Sequence, residues 1–122
     1  MATRSFPIQI LRTHIDNLLN DAIAATKTCL TFDKPVAREL HVQLGQNFHL
    51  PMDTQRKEPD VVDHLNRTIR RVQNIQGLLD VPNGATEVSL DSSDMADIAF
   101  LEAYQSVVDA VVTERNRMRK GG

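Results

Sequence analysis

The side chains with the richest chemistry in this sequence are its arginines, and they come in two clusters. Arg67, Arg70 and Arg71 stand at i, i+3 and i+4, a spacing that puts three side chains on one face of a helix. Arg115, Arg117, Arg119 and Lys120 form the second group. A guanidinium is planar and permanently charged, and its fork of N–H donors fits carboxylate or phosphate in two places at once. Arg115 is the more telling residue, because it falls on an apolar helical seam. A charge there must meet an acid across an interface, a bound anion, or water near a helix end. The plainer alternatives are a solvated face for Arg67, Arg70 and Arg71, and for Arg115 a side chain that snorkels to water beside the negative end of the helix dipole. With Tyr104 nearby, Arg67, Arg70, Arg71 and Arg115 make up the candidate ligand-binding set. The pocket they imply lies between subunits and takes a small anion such as a nucleotide.

Other chemistry finds less support. Four histidines are present, His14, His41, His49 and His64, and Asp60 with His64 at i, i+4 would share a helix face as two ligands of one ion could. No Glu has a His three residues later, and no cysteine pair or second ligand pair completes a site. The histidines therefore read as surface residues, and no metal or cofactor is expected. Cys29, the single cysteine, lies on an apolar seam, where a thiol behaves as a small inert core group and fits a reducing compartment. A nucleophile elbow, a phosphate-cradling glycine loop and a dinucleotide fingerprint are all missing. Asp94 and Asp97 sit at a helix start, where capping and the helix dipole account for them. The expectation is a protein that binds rather than catalyses.

The net charge of −2 and a pI near 6.0 argue against electrostatic capture of nucleic acid. The few aromatics, four Phe and one Tyr, do not interleave with the arginines as stacking readers of single strands require. No apolar run approaches the roughly 18–20 residues of a membrane span, and residues 1–6 are short and polar rather than a signal sequence. The reading is a cytoplasmic protein without membrane association.

The elements that must carry these residues are mostly helices. Ile8, Leu11, Ile15, Leu18, Ala22, Ala25 and Cys29 alternate three and four apart, which predicts a helix over 7–30, widened by Leu19, Ile23 and Leu30. Residues 31–34 break it. Val36, Ala37, Leu40, Leu44 and Phe48 fit a short helix ending at Gly45, although Leu40, Val42 and Leu44 also alternate as in a strand. A surface loop follows over 46–57. A long helix starts at Pro59, buries Val62, Leu65, Ile69, Val72, Ile75 and Leu79, and stops in the turn residues 80–84. Residues 86–90 form a short edge strand or an extended segment. The last helix spans 93–118 on a face of Leu101, Tyr104, Val108, Val111, Arg115 and Met118, leaving 119–122 frayed.

The architecture so predicted is a single all-α domain over 1–122, a small bundle of three long helices and one short helix. The alternative is α+β, with a small hairpin from residues 40–50 and 86–90. Heptad-like faces on so small a chain also predict a homo-oligomer, with Ile8, Leu11, Ile15, Leu18, Val108 and Val111 at its interface. The leading functional expectation is a small oligomeric helical interaction protein, an adaptor, regulator or inhibitor acting on another macromolecule. Sequestration or sensing of a small anion is the competing one.

Overall fold

The computed structural model describes residues 4–55, 58–79 and 86–121. In chain order the elements are β1 (Arg4–Pro7), α1 (Ile8–Leu30), α2 (Lys34–Phe48), β2 (Met52–Asp53), β3 (Glu58–Pro59), α3 (Val61–Leu78), β4 (Glu87–Leu90) and α4 (Ser92–Gly121). Four helices pack as a small bundle. Two minimal antiparallel pairings, β1 with β4 and β2 with β3, trim its ends. Among the described residues no helix is long and apolar enough to cross a membrane.

The α1 seam is the spine of the core. All seven of its residues, Ile8 through Cys29, are buried, and Leu19 joins them. Ile23 and Leu30, expected to widen the face, are instead exposed. On α3 the buried face is turned slightly from the expected one. Val61 and Thr68 are inside, whereas Val62 is exposed and Ile69 half-buried. Thr68 tolerates burial because its hydroxyl donates to the His64 carbonyl at 2.8 Å. On α4, Ile98, Phe100, Leu101, Tyr104 and Val108 are buried, and the face then emerges: Val111 and Arg115 are half-buried and Met118 exposed.

Four predicted boundaries move, each for a local reason. The third helix starts at Val61 rather than Pro59, because Pro59 pairs with Met52 in β3. The second helix does not stop at Gly45. It continues to Phe48 and ends at His49, whose left-handed backbone (φ 51°) lets the Leu50 N–H return to the Gly45 carbonyl at 3.0 Å. Gly45 serves packing instead, because a Cβ on it would lie 2.2 Å from Cγ of the buried Pro59. Within the expected 46–57 loop, Met52–Asp53 pairs with Glu58–Pro59. Finally, α4 runs on to Gly121, so residues 119–121 are helical rather than frayed; Arg119 near this end complements the helix dipole. The turn predicted over 80–84 lies outside the described residues.

The hairpin alternative fails in its pairing. Residues 40–48 are helical, and the partner of β4 is the N-terminal segment β1, in the register Arg4 to Leu90 and Pro7 to Glu87. Local sequence does not reveal a pairing across so long a separation. At its start α4 is capped by Asp91 and Asp94. The Asp94 N–H donates to Asp91 Oδ1 at 2.9 Å and the Asp91 N–H to Asp94 Oδ2 at 3.3 Å, a reciprocal capping arrangement.

Candidate functional site

Beyond Val108 the α4 rod outruns the core, and a groove opens between it and α2. The rod exists because residues 92–121 contain neither proline nor an internal glycine before the last position. Pro35, tolerated in the first turn, starts α2 beside it. The groove has a volume of about 740 Å³. Its floor is apolar, from Pro35 and Val36 on one side and Ala110, Val111 and Met118 on the other. Its charges are uneven: α2 and the residue before it supply only acids, Glu39 and Asp33, whereas α4 supplies Arg115 and Arg119 together with Glu114. Met118, 67% exposed, is a large apolar side chain left uncovered.

Arg115 is half-buried and has a neighbour the sequence did not suggest. Its guanidinium carbon lies 5.7 Å from the centre of the Phe32 ring, where the negative ring face attracts the cation. The charge on the apolar seam is thus met by the aromatic face of Phe32, a residue that does not itself line the groove. Arg117 points elsewhere and donates to Glu114 through Nε at 3.2 Å and through a second nitrogen to the other carboxylate oxygen. This bond, more than the charge alone, holds the Glu114 carboxyl below the usual range.

The other arginines do not join this site. Arg67 pairs with Asp63 at 3.2 Å, both exposed, and Arg70 is exposed. Arg71 lies over α4 at Asp97, with Nε 3.0 Å from Oδ2. That distance makes an ion pair, but the N–H is not directed at the oxygen, so Asp97 Oδ2 has no aligned hydrogen bond within the protein. Asp97 and Arg115 are 18 residues apart on one straight helix, roughly 27 Å at 1.5 Å per residue. Tyr104 is in neither place. It is buried between α1 and α4 near Cys29 and Thr26, and burial pushes its hydroxyl up to about 12. The five residues of the predicted anion set therefore fall in three separate locations of one chain.

Two further assignments are corrected. Asp97, which capping and the helix dipole were expected to account for, is a buried acid (6% exposed) paired with Arg71, and burial raises its carboxyl pKa despite the Arg71 charge. His64 is not a surface histidine. It is half-buried, edge-on to Phe100 with ring centres 4.5 Å apart, and burial followed by the Arg67 charge holds its pKa below the ordinary value. Phe48 packs edge-on to the same Phe100 ring at 4.8 Å, so the scarce aromatics gather at one junction of α2, α3 and α4. His14 binds Glu102 across α1 and α4 at 2.9 Å. Among the described residues no group of three or more His, Cys, Asp or Glu could hold a metal ion.

The six residues predicted at an interface between copies are where the chain packs on itself. Ile8, Leu11, Ile15, Leu18 and Val108 are at most 7% exposed, and Val111 is half-buried at the groove. Among the described residues the large apolar side chains remaining outside lie elsewhere, at Ile10, Ile23, Leu30, Met52, Val62, Leu78 and Met118. Sequence reasoning missed the α2 wall of Pro35, Val36, Glu39 and Gln43. The i, i+3, i+4 spacing marks an edge of α2, but nothing local says that α4 runs beside it. Comparison with protein-family models, curated proteins and solved structures finds no match for the chain.

Proposed function

We propose that this chain is a small self-associating interaction protein, an adaptor or regulator that binds rather than catalyses, and that the groove between α2 and α4 is its working surface. The observation that carries the reading is the groove itself: an apolar floor, an uncovered Met118, and an acidic α2 wall facing an α4 wall that carries both arginines. The occupant is the α4 end of a second copy. Two copies related by a two-fold axis would each lay Met118 into the other's groove, an isologous contact in which one patch serves both sides. The same arrangement would set the α4 arginines of one copy against the acidic α2 wall of the other, with Glu114 already bonded to Arg117 in its own helix. An amphipathic helix from a different protein would use the same features, by the helix-in-groove mode. The buried free thiol of Cys29 suits a reducing compartment such as the cytoplasm.

Light scattering across a concentration series tests this. The wild-type chain is expected to move from 13.7 kDa toward twice that mass as concentration rises. Met118→Glu, at an exposed position that leaves the fold intact, should weaken association at least tenfold, since burying a methionine contributes about 1.5–3 kcal/mol. A wild-type chain that stays at 13.7 kDa at high micromolar concentration contradicts self-association.

A further inference from the structure

A second concavity, separate from the groove, opens where the end of α1 meets the starts of α2 and α3. Its volume is about 430 Å³, within the range of small-molecule sites. The floor belongs to the core: Val61, Leu65, Cys29 and Tyr104 are each 6% exposed or less, and what little surface they keep faces this space. The mouth is marked by Leu30 and Val62, which are 77% and 42% exposed and so form an apolar rim in contact with water.

The polar lining has one sign. Lys34 carries the one formal charge in the lining, beside His41, Thr26 and Asn66, and among the described residues no Asp or Glu lines the cavity. In a chain with net charge −2, whose α2/α4 groove carries three carboxylates, this is a local reversal. An apolar floor, an apolar rim and the Lys34 ammonium at the edge, with the Arg115 guanidinium 5.7 Å from the Phe32 ring, match a molecule with an apolar body and one negative end. We infer that the cavity binds a small amphiphilic carboxylate, of the size of a medium-chain fatty acid or a single-ring aromatic acid. Its body lies on Val61, Leu65 and Phe32, and its carboxylate faces Lys34.

Octanoate and 1-octanol are suitable probes, since they share a body and differ in the charge. Amide NMR titration and thermal melting of the full chain should show saturable binding of octanoate. Shifts should be concentrated in 26–34 and 61–66, with a rise in Tm of a few degrees at tenfold excess over Kd. Lys34→Gln should weaken octanoate about threefold, as expected for an exposed ion pair, and leave octanol unchanged. Val62→Trp, at an exposed position on the rim, should obstruct both probes while leaving the mass of the protein unchanged, which separates this site from the self-association surface. The assignment is overturned by non-saturating shifts, by shifts that map to α2 and α4 around Val36 and Val111, or by equal octanoate affinity in Lys34→Gln and wild type.

Discussion

Gly45 and Gly77 show how far apart two glycines in helices can be. At Gly45 a methyl group would enter the Pro59 ring, 2.2 and 2.3 Å from two of its carbons, and a buried proline has little freedom to yield. At Gly77 a methyl would meet nothing within 4 Å. Gly45→Ala should therefore lose about 2 kcal/mol by overpacking, net of the helix propensity it gains. Gly77→Ala should gain up to about 1 kcal/mol for the same propensity with no clash. Urea denaturation of the two variants decides it. The two residues look alike in the sequence, where Gly45 reads as a helix stop, because the contact that distinguishes them comes from a segment 14 positions away. His64 carries the residue-scale pH dependence. Its folded pKa lies below 6.5, mainly because it is buried against Phe100. Between that lowered value and 6.5 the unfolded chain binds the proton and the folded chain does not, so stability rises with pH. The contribution is complete above 6.5 and is lost as pH falls through this window. The urea midpoint should drop between pH 7.5 and pH 5.5, and His64→Gln should reduce that drop. Asp97, whose pKa is raised by burial, acts in the opposite sense just above 3.8, where rising pH removes stability.

Helices were legible in this sequence to the extent that their apolar faces repeat. The α1 seam is buried at all seven predicted positions because a helix that packs on several neighbours along its length must keep one continuous stripe. On α3 the stripe is turned, since a face that includes both Val61 and Val62 does not say which of the two enters the core; the approach of β3 and α4 decides it. The start of α4 was legible as a run of capping residues, and the structure selects Asp91 with Asp94 among them. Asp91→Ala removes the acceptor for the Asp94 N–H and should cost about 1 kcal/mol, measured by chemical denaturation, with the pairing of β4 to β1 weakened as well because Leu90 adjoins the cap. What periodicity could not supply was the neighbour of each face. The arginine pattern on α3 was visible, but its dispersal into separate ion pairs with Asp63 and Asp97 follows from the α3/α4 crossing. The groove was invisible for the same reason: its two walls are far apart in the chain and ordinary when read singly.

At the scale of the whole molecule, β1 and β4 form a clasp between the first described residues and the entry to the last helix. The Ile8 N–H, at the start of α1, extends it by donating to the Thr86 carbonyl at 2.9 Å, and Phe6 packs on the core from the same segment. Removing residues 1–7 should therefore lower stability by about 1–3 kcal/mol, the combined scale of a few backbone hydrogen bonds and one partly buried aromatic. A truncated chain with an unchanged urea midpoint would show the clasp to be ornamental. Its consequence in time is different from its consequence in energy. A ribosome delivers residues in order, at about 5–20 per second, and Arg4 has no partner until Leu90 has emerged. The core is in the same position, because Phe100, Leu101, Tyr104 and Val108 close it from the last helix. For most of its synthesis the nascent chain must leave uncovered the part of the α1 seam that packs on α4, and folding can finish only when nearly the whole length described here has been made.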